Sequence, residues 1–266
     1  MKISVITPSF NQCNYIEETI RSVLDQGDDA VEHLVMDGGS TDGTVEILRR
    51  YPQIMWLSEQ DGGQADALNK GLARATGEII GWINSDDYYA AGALPRVRQA
   101  FCDPSVQWMV GNVTTHFQAT GQMVTVRSPK VTHAALLEDP DIVKQQPTFF
   151  RKAILLSAGA WNARFHMAMD YDLWTRLARL AEPLMVQHNL AYSRIHAEQK
   201  TTQKNIRTQA RELAEIMRRE GAREGAVAAM ERTKRNLMTK FAIREWLVSI
   251  GVLDERYLTQ PFRMRQ

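Results

Sequence analysis

Along the first 83 residues, short apolar runs alternate with longer segments in which apolar residues recur every three to four positions. The short runs have the length of buried strands, and the longer segments have the spacing of helices with one apolar face. The predicted strands are 3–6, 31–36, 54–57 and 79–83. The predicted helices are 14–26, 41–48 and 64–75, the last one ended by Gly77. Elements that alternate in this way predict an α/β fold with a mostly parallel central sheet and helices on both faces.

The pattern beyond residue 88 is less regular. It predicts antiparallel strands over 106–127 that turn at 119–121, and a further strand over 145–151. Three helical segments are expected, at 92–101, at 171–180 and over most of 200–250.

Polar clusters directly follow three of the predicted strands. They are Thr7-Pro8-Ser9, Asp37-Gly38-Gly39-Ser40 and Asn84-Ser85-Asp86-Asp87. Because ligands bind outside the carboxyl ends of strands in open α/β sheets, these clusters form the candidate functional site. The adjacent carboxylates of Asp86 and Asp87 repel each other and need a compensating cation, for which a divalent metal is suited. A helix N-cap at this position is an equally weighted alternative.

Charge divides the chain near Glu198. Residues 200–266 contain fifteen Lys and Arg against eight Asp and Glu, a net charge of +7, whereas residues 1–199 have a net charge of −6. This contrast predicts a boundary between an acidic body and a basic, helical tail. Two alternatives for the tail have equal weight. It either packs on the core or on a second copy in a homodimer, or it contacts an anionic membrane surface peripherally.

Several classes of protein are disfavoured by what the sequence lacks. No nucleic-acid-binding module is recognised, and no GxGxxG follows the first strand, as a dinucleotide-binding dehydrogenase would need. Cys13 and Cys102 have no metal-ligand spacing, which predicts reduced, buried thiols. The apolar run at the start of the chain is too short for a signal peptide, and no apolar stretch of about 18 residues occurs. These features predict a cytoplasmic protein.

Four motifs occur in a fixed order along the chain. They are residues 5–11 (VITPSFN), 35–44 (VMDGGSTDGT), 67–71 (ALNKG) and 77–87 (GEIIGWINSDD). Together they closely resemble family 2 of the glycosyltransferases, enzymes of the Rossmann-like GT-A fold, over about residues 1–200. The sequence is most similar to the branch that assembles bacterial O-antigen, lipopolysaccharide and other surface polysaccharides. The resemblance implies inverting transfer from a nucleotide-diphosphate sugar to a saccharide acceptor, lipid-linked in this branch, at the inner face of the cell membrane.

For the donor side, the resemblance implies a site for Mg²⁺ or Mn²⁺. The family's Asp-x-Asp element appears here as Asn84-Ser85-Asp86, so Asp86 matches the main metal ligand and Asn84 brings an amide oxygen without a charge. The first loop, Thr7-Pro8-Ser9, and Asp37 match the nucleotide-binding loops. Gly38 stands where many members have a second acid that contacts uracil, so UDP, GDP and dTDP sugars all remain candidates.

Further residues are assigned by position in the motifs. Gln64, Asp66 and Lys70 share one helix and either face the donor or, for Asp66 and Lys70, form an i,i+4 surface ion pair. His196 matches a late histidine that approaches the metal or diphosphate in similar enzymes. Gln146 is expected on the acceptor side, as is Trp174, which either stacks on a sugar or fills the core.

The resemblance assigns Asp170 as the catalytic base, the residue that takes a proton from the acceptor hydroxyl. A plain helix N-cap is the competing interpretation, and Asp172 is a second candidate for the base. The expected organisation is a catalytic domain, 1–198, with a nucleotide-sugar half, 1–88, and an acceptor half, 89–198. Residues 199–266 form the helical extension. Asn84 motivates an alternative function, a nucleotide-sugar-binding protein that has lost catalysis.

Overall fold

The computed structural model describes residues 1–27, 29–196, 198–200 and 203–249. In chain order, its helices and strands are β1 Ile3–Ser9, α1 Ile16–Leu24, β2 Val31–Asp37, α2 Thr44–Leu48, β3 Met55–Ser58, α3 Gln64–Arg74, β4 Ile79–Trp82, β5 Tyr88–Tyr89, α4 Ala93–Ala100, β6 Trp108–Phe117, β7 Gln122–Val126, α5 His133–Glu138, β8 Thr148–Arg151, α6 Lys152–Ser157, α7 Met169–Leu180, β9 Leu184–Ile195, α8 Gln203–Arg219 and α9 Glu224–Ser249.

The strands of the described residues form one sheet in the order β3-β2-β1-β4-β8-β6-β9-β5, with β7 paired to β6. Strands β3, β2, β1 and β4 are parallel to one another, as the alternating pattern predicts. Beyond β4 the sheet becomes mixed, because β8 runs antiparallel to both β4 and β6 while β6 and β9 are parallel. The predicted α/β class is confirmed, and the parallel arrangement is concentrated in the half that carries the polar clusters.

Strands β5 and β9 are absent from the sequence-based prediction. The apolar pattern of β9 is interrupted by Gln187, His188 and Asn189, which lie where its pairing with β6 is irregular. The register shifts on either side of Asn112, and an alternating pattern does not survive such an irregularity. This strand matters for function because it leads directly to His196.

The prediction that Gly77 ends α3 as a left-handed C-terminal glycine is wrong. Helix α3 ends at Arg74, and Ala75 has an extended backbone conformation. Gly77 is required for a different reason, since a Cβ there would lie 2.6 Å from Oγ of Ser4 and 2.8 Å from the carbonyl oxygen of Lys2. The chain enters β4 too close to β1 for any side chain at this position.

Trp174 lies at the centre of the larger apolar core. Its indole is 1% exposed and packs with ring centroids 6.1 Å from Trp108 and 5.6 Å from Phe150. A buried indole offers no face to a sugar, so the expectation that Trp174 stacks on the acceptor is replaced by its alternative, core packing.

Helices α8 and α9, which follow β9, pack on the body of the protein. Leu213, Ile216 and Met217 of α8 and Val227 of α9 are at most 2% exposed and belong to the same apolar cluster as Trp174. Residues 250–266 of the predicted tail lie outside the described residues. Among the residues described, no helix is both long and apolar enough to cross a bilayer.

The two cysteines are free, but they are not buried as the sequence predicts. Cys13 is partly exposed, and Cys102 is exposed.

Candidate active site

The carboxyl ends of β1, β2 and β4 bring the three polar clusters to one edge of the sheet. Ser9 and Asp37 are register partners at the ends of β1 and β2. The amide of Ile83 donates to the carbonyl oxygen of Ile6 at 3.2 Å, which continues the β1–β4 pairing up to Asn84. The sequence therefore placed the candidate site correctly with respect to the strands.

The two candidate metal ligands, Asp86 and His196, are brought together at this edge. Nε2 of His196 lies 3.1 Å from Oδ2 of Asp86, and their side chains are 3% and 20% exposed. The imidazole also packs on Tyr15, with ring centroids 4.2 Å apart. The described residues contain no group of three or more His, Cys, Asp or Glu side chains able to hold a metal. A cation at Asp86 and His196 would need further ligand atoms from a bound molecule.

Asn84 has a different environment from the one its place in the motif predicts. Its Oδ1 accepts hydrogen bonds from Nε2 of Gln64 at 2.7 Å and from the indole Nε1 of Trp82 at 2.9 Å. Its Nδ2 donates to Oε1 of Gln145 at 3.0 Å and, at 3.5 Å, to Asp87. The indole only donates, so the orientation of the amide is fixed. With two donors on Oδ1, the expectation of a free amide oxygen for a metal is replaced by a structural role.

Asp87 anchors the frame around these residues. Its Oδ1 accepts from the backbone N–H of Arg194 at 2.9 Å, and its Oδ2 accepts from Nε2 of Gln146 at 2.8 Å. Nε2 of Gln146 also lies 3.1 Å from Oγ of Ser193. Burial, and to a smaller extent the charge of Asp86, raise the pKa of Asp87. The Gln146 amide group thus joins β9 to the end of β4, and its acceptor-side role stays a prediction.

Thr7, Pro8 and Ser9 form the end of β1, and of the two hydroxyl groups there only that of Ser9 is left without a partner in the described part of the chain. The hydroxyl of Thr7 is buried and lies 2.8 Å from Nε2 of His33, whose pKa burial lowers to about 3. This contact occupies the Thr7 hydroxyl inside the sheet, contrary to its expected role at the donor. Pro8 is buried within β1. Oγ of Ser9 is buried and has no hydrogen-bond partner among the described residues.

Asp37 holds the turn that follows β2. Its carboxylate accepts from the backbone N–H of Ser40 at 2.9 Å and from the hydroxyls of Ser40 and Ser58 at 2.5 and 2.7 Å. Next to it, Asp61 lies against Gly38, with Oδ2 3.1 Å from the position that a Cβ would take. The structure therefore supplies a carboxylate from the β3–α3 loop where the family's second acid is missing, a residue that sequence reasoning missed.

Asp66 and Lys70 show the ion pair that was the alternative to donor binding. Nζ of Lys70 lies 3.3 Å from Asp66 and 2.9 Å from Glu59. Oδ2 of Asp66 also accepts from the N–H of Gly62 at 2.9 Å. These contacts hold the β3–α3 loop in place, and direct contact with a donor stays a prediction for both residues. Gln64 lies nearer the site, through its bond to Asn84.

Asp170 lies in the first turn of α7 but is not its N-cap. The N-cap is Ala168, and Oδ1 of Asp170 accepts only from the adjacent N–H of Tyr171, at 2.8 Å, among the contacts described. Burial raises the pKa of Asp170, and the hydrogen bond from the N–H of Tyr171 lowers it to a lesser extent. A partly buried carboxyl with a raised pKa suits a residue that accepts and returns protons.

Residues 4–170 match the protein family described as glycosyl transferase family 2. This chain belongs to glycosyltransferase family 2. Among its relatives is the putative teichuronic acid biosynthesis glycosyltransferase TuaG of Bacillus subtilis. TuaG is 41% identical over 99 residues, which are 35% of this chain and 39% of TuaG.

Solved structures share the fold of this glycosyltransferase. Staphylococcus aureus TarS 1–349 in complex with UDP-GlcNAc has a TM-score of 0.63 at 21% identity and covers 97% of this chain and 78% of its own. The mannosyltransferase PcManGT of Pyrobaculum calidifontis, in complex with GDP-Man and Mn²⁺, has a TM-score of 0.60 at 18% identity, with coverage of 96% and 82%. Both likenesses confirm the predicted GT-A fold.

Lys200 also contacts residues of the candidate site, although sequence reasoning did not single it out. Its Nζ lies 3.0 Å from Oε1 of Gln64 and 2.5 Å from the carbonyl oxygen of His166. It thus joins helix α3 to the segment that precedes Asp170. One lysine in a basic segment gave no usable signal in the sequence.

Asp172, the second candidate for the base, is engaged elsewhere. It is fully buried, and its carboxylate forms ion pairs with Arg176 at 2.6 Å and with Arg219 at 2.7 Å. Two guanidinium groups occupy this buried carboxylate, so Asp170 is the better candidate.

Proposed function

We propose that this glycosyltransferase moves a sugar from a nucleotide-diphosphate donor to a hydroxyl of a saccharide acceptor by direct displacement, with inversion and with a divalent metal. The observation that carries the proposal is the pairing of Asp86 with His196 at the carboxyl end of the sheet. Lys200 contacts both Gln64 of α3 and the carbonyl oxygen of His166, four residues before Asp170.

The Asp86–His196 pair fits a divalent cation. An octahedral Mg²⁺ or Mn²⁺ with ligands at about 2.1 Å places neighbouring ligand atoms about 3 Å apart. Nε2 of His196 and Oδ2 of Asp86 are separated by 3.1 Å. A cation bound here would neutralise charge on the donor diphosphate and on the departing nucleotide. Since only these two ligands come together within the part of the chain that the structure describes, we expect the metal to bind well only with the diphosphate.

The end of β1 and the β3–α3 loop are proposed to hold the nucleoside. Ser9 offers an unpartnered hydroxyl, and the side chain of Phe10 is 59% exposed beside it. An exposed aromatic ring provides a surface on which a base stacks. Asp61, against Gly38, supplies a carboxylate for N–H groups of the base. The bases of UDP, GDP and dTDP donors all carry such N–H groups, so this carboxylate fits each of the three.

Asp170 is proposed to activate the acceptor. As the acceptor oxygen bonds to the anomeric carbon, its proton passes to the Asp170 carboxylate. The bond from the anomeric carbon to the diphosphate oxygen breaks in the same step, and that oxygen keeps the electron pair. Attack opposite the leaving group inverts the anomeric configuration.

The proposed acceptor is a growing surface polysaccharide of a bacterium, such as O-antigen or lipopolysaccharide, carried on a lipid. The likeness to TuaG, a putative teichuronic acid enzyme, supports this class of product. The net charge of +7 over residues 200–266 supports peripheral contact with an anionic membrane from the cytoplasmic side. A homodimer formed through the same helices is the alternative use of this region.

A screen of nucleoside diphosphates tests the proposal. We expect one of UDP, GDP or dTDP to raise the melting temperature of the protein, and to do so strongly only with Mn²⁺. The matching sugar nucleotide should then be turned over, with release of the nucleoside diphosphate. Stabilisation without any turnover would instead favour a binding protein that has lost catalysis. No stabilisation by any of the three would contradict the proposed donor class.

A further inference from the structure

Three consecutive backbone N–H groups before α7 point at one carboxylate. Those of His166, Met167 and Ala168 donate to Glu212 at 3.0, 2.7 and 2.9 Å. Glu212 is 8% exposed and belongs to α8, 44 to 46 residues further along the chain. It also lies beyond residues 4–170, which match the family.

These bonds hold the residues that lead into α7, as far as its N-cap residue Ala168. The N-cap residue is Ala168, which has no side chain able to accept from the first N–H groups of the helix. The N–H of Ala168 is buried together with Glu212, so removing the carboxylate leaves donors without a partner. The negative charge at the helix N-terminus also interacts favourably with the helix dipole.

Further contacts tie α8 and the loop before it to the same segment. Arg219 of α8 lies 2.7 Å from Oδ1 of the buried Asp172. Nζ of Lys200 lies 2.5 Å from the carbonyl oxygen of His166. The segment that carries Asp170 is thus held on both of its sides by residues that follow β9.

We infer that Glu212 is a positioning residue for Asp170, and that α8 is therefore part of the catalytic apparatus rather than an appendage. This inference rests on the proposed role of Asp170 as base. Glu212 fixes the backbone of the three residues that precede α7, and Asp170 is the second residue of that helix. The last N–H that donates to Glu212 is that of Ala168, two residues before Asp170. The bonds therefore fix where α7 begins and the position of the Asp170 carboxylate in its first turn.

The chain offers a matched control on the same helix. Glu215 is also an acid that contacts the segment before α7, but it is 44% exposed and pairs only with the exposed Arg164 among its described ion pairs. Glu215→Gln removes one negative charge from α8 and leaves the bonds from 166–168 to Glu212 in place. Glu212→Gln keeps one oxygen acceptor, whereas Glu212→Ala keeps none.

The test compares the wild type with Glu212→Ala, Glu212→Gln and Glu215→Gln. Hydrogen exchange at the amides of 166–168 should be protected in the wild type and about tenfold faster or more in Glu212→Ala. Metal-dependent turnover is followed as nucleoside diphosphate release from the sugar nucleotide selected by the screen, with water as acceptor. We expect kcat to fall about 10- to 100-fold in Glu212→Ala, the scale of a small misplacement of a reacting group. KM for the donor should stay within about twofold.

The remaining variants separate positioning from general stability. Glu212→Gln should recover part of kcat and of the amide protection, and Glu215→Gln should match the wild type in both. A kcat equal to that of the wild type in Glu212→Ala, together with fast amide exchange at 166–168, would overturn this inference and leave the proposed function standing. Loss of nucleotide binding in Glu212→Ala would overturn it as well, because it would show a general effect. Absence of turnover in the wild type would contradict the proposed function itself.

Discussion

Nε2 of His196 lies 3.1 Å from Oδ2 of Asp86, although 110 positions separate the two residues. Contacts between the sequence neighbours of Asp86 and those of His196 bring the two side chains together. Tyr88 pairs with Tyr192 across β5 and β9, and the Asp87 carboxylate accepts from the N–H of Arg194. The end of β9 is thus fixed to the loop after β4, and the candidate metal site exists only when both halves of the sheet are folded.

Asp170→Asn tests the assignment of the base. The amide cannot take a proton, so we expect transfer to fall by about 10²- to 10⁴-fold while nucleotide binding is unchanged. Because burial raises the pKa of Asp170, the acid limb of the wild-type pH–rate profile should lie above about pH 4, the ordinary range of an aspartate. Retained turnover in Asp170→Asn would remove this residue from its role.

Asp172→Ala is the matched control for that experiment. It leaves Arg176 and Arg219 without their buried partner, so the free energy of unfolding should fall by about 3–5 kcal/mol. Asp170→Asn should leave it within about 1 kcal/mol. Asp170→Asn should therefore lose activity and keep its stability, whereas Asp172→Ala should lose stability. If instead Asp172→Ala lost activity at unchanged stability and Asp170→Asn were destabilised, the two residues would exchange roles.

Asn84→Asp restores the family's first acid and tests why it is absent here. The Nδ2 group that donates to Gln145 would become an oxygen 3.0 Å from Oε1 and near the Asp87 carboxylate. We expect a loss of about 1–3 kcal/mol in the free energy of unfolding, without tighter Mn²⁺ binding. Chemical denaturation and Mn²⁺ titration of the two proteins measure this. Tighter Mn²⁺ binding at unchanged stability would show that residue 84 is a metal ligand.

The residues of the candidate site could be named from the sequence because the signals were local. Asp86 lies in the polar cluster that follows β4, Asp170 was assigned by resemblance to a family motif, and the four motifs are continuous in the chain. The partners of each residue were not predictable in the same way. The oxygen of Asn84 accepts from Gln64, and Glu212 accepts from the N–H groups that lead into α7, through contacts that only the folded chain creates.

The fold shows the same division. Strands β2, β3 and β4 were predicted to within one residue at each end, whereas β1 continues three residues past its predicted end, through Thr7, Pro8 and Ser9. Strand β9 was missed because polar residues and a register irregularity break its pattern. The role of Gly77 was misassigned, since a close approach to β1 leaves no mark in the local sequence.

Glu32 gives a pH-dependent contribution to stability at the opposite end of the sheet. Burial raises its pKa, but the bonds from Lys2, Ser4 and Thr76 outweigh burial and lower it to about 2. A lowered pKa in the folded state stabilises the protein above about pH 4.5, and this contribution is lost as the pH falls towards 2. With the side chain 17% exposed, we expect about 2 kcal/mol.

Denaturant unfolding of the wild type and Glu32→Gln checks this value. The difference in the free energy of unfolding should be about 2 kcal/mol at pH 7 and should shrink steadily between pH 4.5 and 2.5. Catalytic turnover at pH 7 should be equal in the two proteins, since Glu32 lies far from the carboxyl ends of the strands. A difference that does not change with pH would show that the carboxylate is not selectively stabilised in the folded state.

Calorimetric titration of Mn²⁺ tests the central claim, that Asp86 and His196 hold a metal together with the donor diphosphate. We expect weak binding to the protein alone and much tighter binding in the presence of the nucleoside diphosphate selected by the screen. Asp86→Ala should weaken this joint binding by at least about tenfold, while Asp170→Asn leaves it unchanged. Tight Mn²⁺ binding without nucleotide, or nucleotide binding that Asp86→Ala and the absence of metal leave intact, would contradict the account.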